Sequence, residues 1–257
     1  MKKIFIILFV MCLLPAFSKT ITGEIAKETS RGNVIYDIEN NQPVDNALIK
    51  IPAEKFKTRT DKNGAFQLNT TINAPAIMTV EKNGYKPYSM TLGKSDNSNA
   101  LNIGIEKTAP NDIIVETDMI HIGDDSFSSK SANAGDFCLK STGAFYSKDF
   151  NVKNMNADEE LFVVIGSIIG IDTLESQRMN QSHVTTAYSS APELFFNGSK
   201  IAEIKINGDN QKIKVPSGLI KFNKKNNITL KTGRNLYKTS AVDYDDIEFT
   251  NLLLEVK

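Results

Sequence analysis

Along most of the chain, apolar and polar positions alternate over short runs, and no stretch beyond the first residues holds the roughly 3.6-residue period of an amphipathic helix. Ala47/Ile49/Ile51, Phe66/Leu68, Ile204/Ile206, Ile213/Val215 and Ile228/Leu230 each place apolar side chains on one face of a strand. Four Asn-Gly pairs punctuate these runs: Asn63-Gly64, Asn83-Gly84, Asn197-Gly198 and Asn207-Gly208. Asn-Gly tolerates positive φ at both positions, as tight hairpin turns require. The pattern predicts an all-β protein built of antiparallel sheets.

Two polar interruptions organise the runs. Gly93 to Asn99 reads as a loop, and Thr108-Ala109-Pro110-Asn111 follows a strand expected through Leu101, Ile103 and Ile105. Pro110 has no N–H to give a sheet ladder, so a domain boundary is expected there. Lys2 and Lys3 precede the apolar run Ile4 to Phe17, with small residues at Ala16 and Ser18. That is the layout of a secretory signal, too short and wrongly flanked for a membrane span. A lipid-modified Cys12 would need a small residue before it, and Met11 stands there. The expected division is residues 1–18 as signal peptide, 19–108 as a first β-sandwich and 109–257 as a second. The mature chain then has no transmembrane segment, and is expected in the periplasm, at the cell surface or outside the cell.

Composition narrows the classes. Thirty Lys and Arg balance thirty Asp and Glu among 257 residues. A nucleic-acid partner is therefore not expected, since phosphate binding calls for a basic excess. Two Cys exclude a disulfide-dense scaffold. With Cys12 in the leader, Cys138 has no intramolecular partner and reads as a buried small hydrophobe.

The first segment orders its features as Gly32-Asn33-Val34, Asp37, Gln42-Pro43-Val44-Asp45-Asn46-Ala47, Thr58-Arg59-Thr60-Asp61-Lys62-Asn63-Gly64-Ala65-Phe66, then Val80-Glu81-Lys82-Asn83-Gly84-Tyr85. Asp61 is placed to bond its own turn amides, and Phe66 to return into the core. Over roughly residues 31–93 this order resembles the carboxypeptidase regulatory-like domain, a seven-stranded transthyretin-like sandwich. The resemblance implies a non-catalytic spacer or interaction module. No peptidase accompanies it, because neither His121 nor His183 has a Glu three or four residues on to share zinc.

The second segment runs through Ile122-Gly123-Asp124-Asp125, Gly143-Ala144-Phe145-Tyr146-Ser147, Leu194-Phe195-Phe196-Asn197-Gly198-Ser199-Lys200-Ile201, Asn226-Asn227-Ile228-Thr229-Leu230 and Asp243-Tyr244-Asp245-Asp246-Ile247. In order and spacing it resembles a galactose-binding-like jelly roll, the fold of many carbohydrate-binding modules. That resemblance implies a polysaccharide or cell-surface glycan as partner.

Two acidic clusters, Asp124/Asp125 and Asp243/Asp245/Asp246, offer the hard oxygens that calcium takes, and a jelly roll sets its first and last strands side by side. Asp124, Asp125, Asp243 and Asp246 are thus candidate ligands of a structural calcium. The alternative is solvated turn aspartates bonding local amides. Sugar binding needs an aromatic face and a few polar groups, and the chain has no Trp. Tyr146, Tyr188 and Tyr244 are the candidate platforms, with Asn180, His183 and Arg234 as polar partners. The polar stretch 172–191 reads as a loop rimming such a site. No nucleophile elbow, phosphate loop or dinucleotide fingerprint is present, so a non-enzyme is expected. The expected function is an exported carbohydrate-binding or glycan-adhesion protein, its second sandwich reading the ligand and its first acting as spacer. The alternatives are a structural or protein-interaction component of the cell envelope and an unrecognised glycan hydrolase.

Overall fold

A computed structural model describes residues 32–127, 131–132, 137–184, 189–232 and 246–257. Its elements are almost entirely strands. The first seven are β1 (Asn33–Asp37), β2 (Leu48–Ile51), β3 (Phe56–Arg59), β4 (Ala65–Phe66), β5 (Ala76–Glu81), β6 (Tyr88–Leu92) and β7 (Asn102–Ile105). They form two sheets, ordered β4-β1-β7 and β3-β2-β5-β6. Alternation decides which side chains meet between them: Ile49 and Ile51 of β2 point inward with Ile35, Ile103 and Ile105 of the facing sheet. The β1–β7 pair is parallel, Val34 opposite Asn102 and Asp37 opposite Ile105, while the other pairs are antiparallel.

Polar side chains close the turns of this sandwich. Asp61 Oδ1 accepts from the amides of Asn63 and Ala65, both at 2.8 Å, as its position in the sequence leads one to expect. The buried Thr60 hydroxyl donates to the Val44 carbonyl at 2.7 Å and accepts from the Ala47 amide at 2.8 Å. Tyr85 packs against the core and donates its hydroxyl to Asp37 at 2.9 Å.

The chain leaves the first sandwich after Ile105 and enters the second at Ile113. There β8 (Ile113–Glu116), β9 (Ile120–Ile122), β10 (Phe145–Asn151), β11 (Leu161–Ile169), β12 (Glu193–Phe196), β13 (Ser199–Glu203), β14 (Gly208–Lys214), β15 (Lys225–Lys231) and β16 (Ile247–Val256) make two antiparallel sheets. One is ordered β10-β15-β12-β13. The other is β14-β11-β16-β8, with β9 also pairing β16. A short helix, α1 (Leu174–Arg178), interrupts the connection between β11 and β12. No helix among the described residues is long and apolar enough to cross a membrane.

Both sandwiches lie in one compact unit. Strand β6, at the edge of its own sheet, packs on β14, β11 and β16. Polar bonds fix the contact. Thr91 donates its amide and its hydroxyl to the two oxygens of Asp209, both at 2.9 Å, and Ser167 bonds Asp209 at 2.6 Å and Ser89 at 2.9 Å. Gly166 lets the strands meet, because a Cβ there would sit 2.5 Å from Ser89 Oγ and 2.6 Å from Asn251 Cβ. Beside it, the buried ammonium of Lys86 lies 2.9 Å from Glu106, 3.0 Å from Glu255 and 3.4 Å from Asp112. Lys212 completes the clasp at 2.7 Å from Glu255. Burial alone would push Lys86 down and Glu255 up. The mutual hydrogen bonds and charges reverse both, raising Lys86 and holding Glu255 at about 2.

Three expectations are corrected. Ile204 to Ile206 is no strand: β13 ends at Glu203 and β14 begins at Gly208, because Asn207 is buried and its side chain ties this connection to Ile171. Of the four Asn-Gly pairs only Asn197-Gly198 has positive φ at both residues, 49° and 82°, and it turns β12 into β13. In the other three, only the glycine is left-handed. Cys138 is exposed, since its segment is anchored through backbone amides rather than side chains. The amides of Cys138 and Leu139 both donate to Glu248 Oε1 at 2.9 Å.

Candidate functional site

The first and last strands of the second sandwich are neighbours, and this joins the two acidic segments. Asp246 Oδ1 accepts from the Asp125 amide at 2.9 Å. His121, on β9, reaches the same oxygen through Nε2 at 2.9 Å and the Leu139 carbonyl through Nδ1 at 2.8 Å. A carbonyl and a carboxylate only accept, so both ring nitrogens donate and His121 is an imidazolium. Glu248 lies 3.6 Å from Nδ1. Burial would drive the imidazole pKa down. The bonds to Asp246, Glu248 and Leu139 outweigh it and raise the pKa to about 10. Phe137 covers the ring at 4.9 Å between centroids, and Phe127 meets Phe137 edge-on at 4.8 Å.

Donor atoms of His121, Asp125 and Asp246 lie within 4.8 Å of one another. The donor set nevertheless does not fit a cation held by this triad. His121 has no lone pair to give, Asp246 Oδ1 already takes two hydrogen bonds, and Asp125 Oδ1 accepts from the Ser141 amide at 2.9 Å. The imidazolium supplies the positive charge that calcium would bring. Asp246 Oδ2 is buried without a partner among the described residues. Asp124 is exposed and its Oδ1 accepts from the Ser126 amide at 2.8 Å. Asp243 lies outside the described residues.

Of the six expected ligand-binding residues, the described ones are Tyr146 on β10 and Asn180 and His183 after α1. Tyr146 is half-buried, its ring edge-on to Phe249 at 5.4 Å and its hydroxyl donated to Glu116 at 2.9 Å. Burial first, then that bond, raises the Tyr146 pKa. Asn180 and His183 are exposed on the segment after α1, and Asn180 is left-handed at φ 60°. Between them Gln181 exchanges hydrogen bonds with the Asn207 backbone at 3.0 Å each way. Tyr188, Arg234 and Tyr244 lie outside the described residues.

The described residues of the stretch 172–191 are held by polar bonds. Asp172 is fully buried and accepts from the hydroxyls of Ser131 and Ser182 and from the Ala132 amide, while its carbonyl takes the Ser189 amide. Thr173 caps α1 by accepting from the Ser176 amide. A hollow of about 270 Å³ opens here between the start of α1, residues 189–191 and the end of β13, with Lys205 and Glu175 3.8 Å apart across it.

An aromatic and polar array occurs instead on the outer face of β10-β15-β12. Phe145 is 57 % exposed. Ser147 and Asp149 follow it on the same face, while Tyr146 and Phe150 turn to the core. Register places Thr229 between Ser147 and Phe195, and Asp149 beside Asn227. The polar groups hold one another: Asn227 Nδ2 donates to Ser147 Oγ at 3.0 Å and to Asp149 Oδ1 at 2.9 Å, and the Thr229 hydroxyl donates to Asn227 Oδ1 at 2.9 Å. Lys231 lies 4.5 Å over the Phe195 ring. Lys225, then Asn227, lowers the Asp149 pKa, so a carboxylate stands in the array at neutral pH.

Residues 30–115 match the family model of the CarboxypepD_reg-like domain. The match spans β1 to β7 and reaches into β8, so the seven-stranded sandwich is this domain type. A search of curated proteins finds no match to the chain.

Proposed function

We propose that the protein is an exported, non-catalytic carbohydrate-binding protein. Its second sandwich, read as a galactose-binding-like jelly roll, is the reader, and the CarboxypepD_reg-like domain is its rigid support. One observation carries this reading: exposed Phe145 lies beside a polar row of Ser147, Thr229, Asn227 and Asp149 that is already hydrogen-bonded in place. A pyranose offers one apolar face and a ring of hydroxyls, and an aromatic ring beside fixed donors and acceptors complements both. Preformed polar groups lose little freedom on binding.

A catalytic reading has less behind it. An imidazolium fixed by two acceptors cannot take a proton at neutral pH, so His121 does not serve as a general base. The Asp172 carboxylate meets serine hydroxyls with no histidine between them among the described residues. No metal enters this proposal at the His121–Asp246 pair, and the expected melting temperature is the same with calcium and with chelator. A role as envelope interaction component is the second reading, favoured by the Lys86–Glu255 clasp that makes the two sandwiches one surface.

Affinity gels and pull-downs on neutral and acidic polysaccharides test the first reading. Retention on at least one glycan, weakened about tenfold or more by Phe145→Ala, is expected. No retention on any glycan, or retention unchanged by Phe145→Ala and by Asn227→Ala, overturns it.

A further inference from the structure

The first sandwich has a hollow of its own. About 550 Å³ lies along the outer side of β1, lined by Val34, Tyr36, Asn41, Pro43, Asn63 and Asn102. Two turns and the start of β7 converge on it. Pro43 bridges directly to Tyr36. Asn41 is held left-handed at φ 57° with its amide on the Asp37 carbonyl at 2.8 Å, and Asn63 sits in the turn that Asp61 closes. Asn102 opens β7 directly opposite Val34. The Tyr36 ring lies across Gly104, where a Cβ would come 3.0 Å from Cζ and 3.1 Å from Cε2 and would also strike Ile38. Glycine at this position leaves room for the ring.

The lining chemistry is specific. None of the six residues is ionisable at neutral pH. The side-chain amides of Asn41, Asn63 and Asn102 and the Tyr36 hydroxyl have no hydrogen-bond partner among the described residues. By contrast, Asn197, Asn207, Asn226 and Asn227 each spend their side-chain amides in several internal bonds. Three unspent amides on fixed backbones, each able to donate and accept, surround a flat ring with Val34 and Pro43 beside it.

We infer that this hollow is a binding site for an uncharged saccharide, with Tyr36 stacked on the apolar face of a pyranose and Asn41, Asn63 and Asn102 bonding its hydroxyls. The volume suits a ligand of one or two sugar rings. This site is separate from the outer face of the second sandwich and does not rest on the reading of that face. It makes the first sandwich a second reader.

Calorimetry on the full chain tests it in a Phe145→Ala/Phe195→Ala background, which removes the outer-face aromatics. The probes are neutral hexasaccharides of gluco, xylo, manno and galacto configuration, with a uronate hexasaccharide as the charged control. Binding of at least one neutral probe is expected in that background. Adding Asn102→Ala, an exposed change, is expected to weaken it about tenfold, the scale of one lost hydrogen bond to a bound ligand. Tyr36→Leu is expected to abolish it. No binding in that background, affinity within twofold after both Asn102→Ala and Tyr36→Leu, or preference for the uronate overturns the inference. A difference between the background and the unaltered chain bears only on the outer face.

Discussion

The two sheets of the second sandwich share one core yet are built differently. Along β16, every residue from Ile247 to Glu255 is buried, whereas no residue of β10 reaches that class. Both strands turn one side to the same apolar cluster. The difference lies on their other sides: β16 and β11 are covered by β6 of the first sandwich, and β10, β15 and β12 face water. The covered sheet therefore carries small and paired polar groups, Gly166, Ser167 and Glu255, that permit close contact. The open sheet carries aromatics and a hydrogen-bonded polar row that a ligand can reach. Within one fold, the covered sheet sets rigidity and the open sheet carries the proposed recognition face.

Breaking the covered side is expected to give the largest effects. His121→Ala strands Asp246 and Glu248 without their cation, and a loss of about 3–5 kcal/mol in urea unfolding is expected. Gly166→Ala forces Ser89 and Asn251 aside. Its expected cost is about 2 kcal/mol, with earlier proteolysis between the sandwiches. Glu255→Gln weakens the clasp less, because Lys86 keeps Glu106 and Asp112; about 1.5 kcal/mol is expected by the same unfolding assay. Phe145→Ala, on the open side, is expected to stay within about 0.5 kcal/mol while glycan retention falls. If Phe145→Ala unfolds the protein, the contrast between the sheets is wrong.

The two buried ion groups place opposite limits on pH. Glu255 is held at about 2, below its ordinary value of 4.5. Its stabilisation is complete above the ordinary value and is lost as pH falls through about 2. His121 is raised from 6.5 to about 10. Its contribution is complete below pH 6.5 and is lost as pH rises through about 10. Unfolding midpoints measured across the range are expected to decline at both ends. In His121→Ala the alkaline decline is expected to shrink and the acid one to persist.

How much of the site could be read from the chain differs residue by residue. Along Phe145-Tyr146-Ser147-Lys148-Asp149-Phe150 the pleat had two possible parities. Tyr146 shares its parity with Phe150 and Phe145 shares its own with Ser147 and Asp149, so the inward set was readable from that pairing. Tyr146 is one of the expected platforms, yet on this strand it is Phe145 that faces water. His121 gave no local signal of its charge, since its carboxylate partners are 125 and 127 residues further along the chain. The array of Asn41, Asn63 and Asn102 was equally silent, because two separate turns and a distant strand bring it together.

Alternation and turn chemistry are local, and they alone determined the all-β class and the Asp61 turn, while the family of the first sandwich came from its resemblance to a known domain. Period two is a property of neighbouring residues, so it survives without knowledge of the fold. Which strand edges pair, which sheet is covered and which amides remain unspent depend on contacts between distant segments. Only the tertiary structure decided those, because burial and hydrogen-bond satisfaction belong to the assembled fold rather than to any stretch of sequence.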